Sequence, residues 1–129
     1  MITASVGKDG KVNLVGKQGT TWSLVVQVFQ DDLKTVPMNL NGYAARGQFK
    51  KDYVKSSPVL IEFNCTVLPL DLDSNPDQNK VLIEATPDQS SSVTIESGVY
   101  DIEVYNGPLI VEGILEGSLT ISKEVTRNE

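Results

Sequence analysis

The chain has no histidine and a single cysteine among its 129 residues. Without histidine the commonest general base, the Ser-His-Asp triads and most zinc sites are unavailable. One cysteine, Cys65, cannot close an internal disulfide. It stands in an apolar alternation, where it reads as a small buried hydrophobe and not as a nucleophile, since reactive thiols need an electropositive, exposed setting. No apolar run approaches 18 residues, so no membrane partner is expected. The first residues lack a basic segment followed by an apolar stretch, and no signal peptide is expected. Positive charge is in deficit: 11 Lys and Arg against 17 Asp and Glu give a net charge of −6. The densest basic group, Lys50, Lys51 and Lys55, reads as a solvated strand end. A nucleic-acid partner is therefore not expected, because phosphate binding needs clustered cations.

What the chain does contain is alternation. The best stretch runs from Glu96 to Thr126. Tyr100, Ile102 and Val104 fall on one face, with Asp101 and Glu103 on the other. Further on, Leu115, Gly117, Leu119 and Ile121 share a face. A period of two means half-buried antiparallel strands, and Asn106-Gly107 between them predicts a tight hairpin turn with positive φ at both residues. Earlier strands are expected at 19–32 (Trp22, Leu24, Val26 and Val28 inward), 43–51, 59–67 and 80–85. Trp22 is expected as a core anchor beside the small residues Ala45 and Gly47. Tyr100, just after a helical turn, is placed to make a tyrosine-corner hydrogen bond. The one helical turn expected is at 86–93, where Thr86, Pro87 and Gln89 form a capping-box pattern.

About seven short strands with one helical turn predict an all-β fold, a single antiparallel β-sandwich. The domain reading is an N-terminal arm or edge strand at 1–17, a sandwich at 18–122 and a C-terminal tail at 123–129.

Candidate chemistry is sparse. Asp71, Asp73, Asn75 and Asp77 alternate oxygen ligands like the start of a calcium loop. Pro76 stands where the sharp turn needs Gly, and Leu82 where the bidentate Glu should be. The preferred reading is a solvated polar loop, so these four are weak metal candidates and no metal or other cofactor is assigned. Glu62 with Glu84, or Asp101 with Glu103, could pair as in a glycosidase, but each occupies the ordinary solvent-facing position of a strand. No catalytic residue is assigned and no enzyme is expected. Tyr53, Tyr105 and Asn106 near turns, with Val125 and Arg127 near the C-terminus, are the candidate partner contacts, because exposed tyrosines suit protein interfaces.

Four stretches, read in order, resemble a known family: Gln18-Gly19-Thr20-Thr21-Trp22-Ser23-Leu24; Met38-Asn39-Leu40-Asn41-Gly42-Tyr43 through Phe49; Gly98-Val99-Tyr100-Asp101-Ile102-Glu103-Val104; and Leu115-Glu116-Gly117-Ser118-Leu119-Thr120-Ile121 through Arg127. Together they are similar to small immunoglobulin-like structural proteins of tailed bacteriophages, and to the N-terminal domain of phage upper-baseplate proteins. Thr20 and Asn41 depart from the family's usual Asp and Thr. The resemblance implies an immunoglobulin-like sandwich and a virion protein, present in the host cytoplasm during assembly. It implies other virion proteins (tail, baseplate, fibre or capsid) as partners, and homo-oligomers within the particle. Its first functional reading is a tail or baseplate component that serves assembly or fibre attachment. Capsid decoration is the alternative. A carbohydrate-binding host-attachment module is a further one, and would need an aromatic row built from Tyr53 and Tyr105.

Overall fold

Alternating apolar residues and turn punctuation produce, among the described residues, nine strands and one helical turn. The computed structural model describes the backbone of residues 2–6, and residues 10–31 and 33–123 in full. The strands are β1 (Ile2–Val6), β2 (Gly10–Lys11), β3 (Leu14–Lys17), β4 (Trp22–Val28), β5 (Ala44–Lys50), β6 (Val59–Val67), β7 (Lys80–Ala85), β8 (Ser97–Asn106) and β9 (Ile110–Ser122). The helical turn α1 (Pro87–Ser91) lies between β7 and β8.

The strands form one curled sheet in the order β1-β4-β7-β6-β5-β8-β9-β2, with β3 also on β9. β6 is the fold line. Its first half pairs with β5 (Ile61 opposite Phe49, Phe63 opposite Gly47). Its second half pairs with β7 (Asn64 opposite Glu84, Val67 opposite Val81). The sheet therefore closes on itself as two layers, β4-β7-β6 against β6-β5-β8-β9. With β4 to β9 taken as B to G, this is the B-E-D and C-F-G order of an immunoglobulin sandwich. The chain is an all-β, immunoglobulin-like sandwich.

The core lies between the layers. Val26, Val28, Phe49, Val81, Tyr100, Ile102 and Val104 are all buried, each on the predicted inward face. Cys65 faces the same way but is only half-buried, and burial pushes its thiol up to about 12.

Several expectations are corrected. The sandwich is not purely antiparallel: β1 runs parallel to β4, and β2 and β3 run parallel to β9. These strands are two to five residues long, too short for a period to declare itself. Residues 10–17 are thus an edge strand of the sandwich. The hairpin is not a two-residue turn either. β8 and β9 close at Asn106 opposite Ile110, around a three-residue loop in which Gly107 has φ 68°. Pro108 is the reason: a two-residue turn would need its missing N–H in the ladder. A bulge opposite Ile102/Glu103 buries both Ile114 and Leu115. It shifts the phase, so that upstream of it Glu112 takes the position opposite inward-facing Val104.

Trp22 is half-buried at the margin of the core. Its ring lies where a Cβ on Gly16 would fall, 2.6 Å away, and its Nε1 donates to the Lys17 carbonyl at 2.8 Å. Gly47 instead leaves room for Ile102 and Phe63. Tyr100 does hydrogen-bond the backbone, but not at the helical turn: its hydroxyl donates to the Val12 carbonyl at 2.6 Å.

The capping box at α1 is formed. Thr86 Oγ1 accepts from the Gln89 amide at 3.2 Å, and Gln89 Oε1 accepts from the Thr86 amide at 2.8 Å. Ser90, fully buried, ties this turn to the β3–β4 connection. Its Oγ accepts from the Gly19 amide at 3.1 Å and donates to the Thr20 carbonyl at 2.7 Å. Ser90→Ala leaves both groups without that partner, and is expected to cost about 2 kcal/mol in urea unfolding. An unchanged midpoint would show that water replaces the hydroxyl.

Candidate interaction surface

Three loops meet at one end of the sandwich. Backbone bonds join the first two: the Leu40 amide donates to the Gln78 carbonyl, and the Val28 amide to the Asn79 carbonyl. The third loop is the β8–β9 tip, where Asn106 Nδ2 lies 3.6 Å from the Cβ position of Gly42. Buried asparagines brace this end. Asn79 Nδ2 donates to the Val28 carbonyl at 2.9 Å. Asn75 Nδ2 donates to the Leu68 and Pro69 carbonyls, and its Oδ1 accepts from the Asn79 amide.

Each loop displays apolar side chains to solvent: Leu33 and Val36 on the first, Leu70 and Leu72 on the second, and Leu109, Ile110 and Val111 at the hairpin tip. Read as a solvated polar loop, the second loop gave no reason to single out Leu70 and Leu72. The signal was there in Leu70-Asp71-Leu72-Asp73, where leucines alternate with carboxylates but no strand face exists to bury them.

The calcium-like residues sit in the second loop. Asp71 and Asn75 exchange backbone hydrogen bonds, and the Asp71 carboxylate accepts from the Asp73 and Ser74 amides. Those amides hold its carboxyl below the usual range. Asp73 and Asp77 are exposed. The Asn75 oxygen is occupied by the Asn79 amide, so the four residues do not present a common ring of ligands. Among the described residues no group of three or more His, Cys, Asp or Glu could hold a metal ion. Asp31 similarly braces the first loop. Its carboxylate accepts from the Thr35 hydroxyl and the Thr35 and Val36 amides, and these bonds lower its pKa.

Tyr105 lies on the outer face of the β5-β8-β9 layer, beside the tip. The Arg46 guanidinium stacks over its ring at 4.5 Å from the centroid and pairs with Glu103. Tyr53 is exposed beyond the far end of β5, past Lys50. Lys50 pairs with Val99 while Ala44 pairs with Tyr105. The two ends are six residues apart on β8, roughly 20 Å at strand rise. The Arg46–Glu103 pair stands in that interval, so the two tyrosines do not form an aromatic row. Of the candidate contacts, Tyr105 and Asn106 are brought to the loop end and Tyr53 is not. Val125 and Arg127 lie outside the described residues.

The two carboxylate pairs occupy different places in the ladder. Glu62 lies on the half of β6 that pairs with β5, opposite Gln48, while Glu84 pairs with Asn64 on the other half. Asp101 and Glu103 share one face of β8 and, with Glu116, line a shallow hollow beside Gly10. Burial, then the charges of Glu103 and Glu116, raise the Asp101 pKa against the opposing pull of Lys50 and Arg46.

An immunoglobulin-like sandwich with decorated loops is the class the topology defines. No protein-family model and no curated protein matches the chain. Solved structures similar to it include the N-terminal four Ig domains of Dscam1 isoform 7.44, at 14% identity and TM-score 0.42. A chicken TCR is similar at 10% identity and TM-score 0.48. These matches cover 89% and 95% of this chain, which spans 23% and 58% of the respective structures.

Proposed function

We propose that this chain is a non-enzymatic structural protein of a tailed-bacteriophage particle, a tail or baseplate component that acts through protein–protein contacts. The observation that carries the reading is the placement of the four family-like stretches. They fall, in order, at the entry of β4, on β5 with the loop before it, on β8 and, as far as Ser122, on β9, strands that lead to or from the loop end. The exposed loop residues then supply contacts while the sheets hold them in fixed geometry. The one thiol has its pKa raised by burial to about 12, which suits a scaffold.

Fractionation of purified particles tests the reading. Heads and tails separated by shear are probed for this chain by quantitative mass spectrometry. The expected result is the chain at fixed stoichiometry in the tail fraction. Its recovery with the heads would transfer the assignment to capsid decoration. Its absence from washed particles would overturn the structural role.

A further inference from the structure

Among the described residues, eleven large apolar side chains are exposed, and seven of them project from the loop end. The three most exposed, Leu109 at 94%, Leu33 at 84% and Leu72 at 82%, share a second property. Each belongs to a turn closed by backbone hydrogen bonds. Leu33 lies between Asp31 and Lys34, whose amide donates to the Asp31 carbonyl. Leu72 lies inside the reciprocal Asp71–Asn75 pair. Leu109 lies inside the Asn106–Ile110 closure of the hairpin. Loops with no partner to meet gain nothing by fixing leucines in water, whereas fixed apolar side chains lower the ordering cost of binding.

Charge selects the partner. The same end carries Asp31, Asp71, Asp73, Asp77 and Glu112 against Lys34 and Lys80. Five carboxylates against two ammonium groups leave −3 among these residues, and the Lys80 Nζ is already bonded to the Ser74 carbonyl. Two copies meeting end to end would bring like charges together, and an anionic bilayer would repel the same surface. We infer that the loop end docks a different protein, one that presents an apolar surface ringed by Lys and Arg. This inference rests on the reading of the chain as an assembly component.

The test uses the full chain and two synthetic peptides of equal length, one alternating Lys with Leu and one alternating Glu with Leu. Amide shifts are followed by NMR, for the wild type, for the triple variant Leu33→Ser/Leu72→Ser/Leu109→Ser, and for Val54→Ser in the β5–β6 connection at the opposite end. The Lys peptide is expected to move resonances around residues 31–36, 70–75 and 106–112. Its binding should weaken about tenfold or more in the triple variant, as removal of central anchors does, and stay unchanged in Val54→Ser. Binding should also weaken with salt. Equal binding of the Glu peptide, shifts centred elsewhere, or undiminished binding by the triple variant would overturn the inference. So would a large drop in the triple variant's melting temperature, because the leucines would then be structural. Sedimentation with phosphatidylcholine vesicles that is lost in the triple variant would assign the surface to a membrane instead. If the peptide arm fails while the chain is found in particles, the docking surface alone is lost. If the chain is absent from particles while the peptide arm succeeds, the virion role alone is lost.

Discussion

Gly117→Ala is expected to peel residues 10–17 off the sandwich. A Cβ at this position would lie 2.1 Å from the Val12 carbonyl oxygen and 2.8 Å from its carbon. Both are backbone atoms, so the strand itself must move. The crowding has a local cause. In a regular parallel ladder the Ser118 amide would take the Val12 carbonyl. Here that carbonyl is taken by the Tyr100 hydroxyl, and Asn13 Oδ1 accepts from the Ser118 amide in its place. The carbonyl leans over residue 117, where only hydrogen fits. Overpacking of this kind costs about 3 kcal/mol, roughly 12 °C in melting temperature for a domain of this size. Hydrogen exchange should show where the loss falls. The Val12 amide, bonded to the Glu116 carbonyl, and the Gln18 amide, bonded to the Ser122 carbonyl, should exchange faster. Val26 and Ile102 should slow or quicken only with global stability. Tyr100→Phe keeps the ring and removes the hydroxyl, for an expected loss of about 1–2 kcal/mol. In the Gly117→Ala background most of that loss should vanish, because both changes act on one carbonyl. An unchanged melting temperature for Gly117→Ala, or full additivity of the pair, would refute this account of how the N-terminal strand is held.

The same carbonyl shows why the sequence was readable only in part. The inward positions of β6, β7 and β8 follow from a period of two, since one face of each is buried and any slip would expose it; β4 keeps the same period at Leu24, Val26 and Val28 although Val25 on its other face is buried as well. The capping box at Thr86 is a local motif and reads correctly for that reason. Val12, by contrast, is tied to Tyr100 across 88 positions, and no local rule relates them. The N-terminal strand was left open between arm and edge strand because its contacts lie in β9, at the far end of the chain. Pro108 and the bulge at Ile114 shift the hairpin's turn and phase, though the alternation up to Val104 and from Leu115 onward is regular. At the loop end, polar composition concealed the leucines, since composition averages over a loop while exposure belongs to single residues. Only the fold shows that Leu33, Leu72 and Leu109 share one end, because it brings together loops some 40 residues apart in the chain.

Asn75→Asp decides between a ligand and a brace in the second loop. The substitution preserves shape and adds the carboxylate that a calcium loop would favour. As a brace, however, Asn75 is 2% exposed and its Nδ2 donates to two carbonyls, Leu68 at 3.2 Å and Pro69 at 2.9 Å. A carboxylate there faces those oxygens with no hydrogen to give. The expected loss is about 3 kcal/mol near neutral pH, the range for a buried charged group left without partners. The sign of its pH dependence follows. Burial against carbonyls raises the new group's folded pKa above the unfolded value of about 3.9. Between the two values the native state binds more protons, so the variant's stability falls as pH rises. Its deficit against the wild type should therefore be smallest in acid and widen towards neutrality. Calcium separates the readings by magnitude. A site with Kd of about 0.1 mM, held at about 10 mM calcium, would return about 2.7 kcal/mol. No such recovery is expected, because the Asn75 oxygen is already spent on the Asn79 amide. Recovery by calcium and not by magnesium would reinstate Asp71, Asp73 and Asp77 as ligands. Failure to recover, with faster exchange at the Asn75 and Asn79 amides, would identify the loop as a brace whose consequence lies outside it. Loosening the Asp71–Asn75 turn should also free Leu72, so its amide exchange should quicken together with that of Asn75.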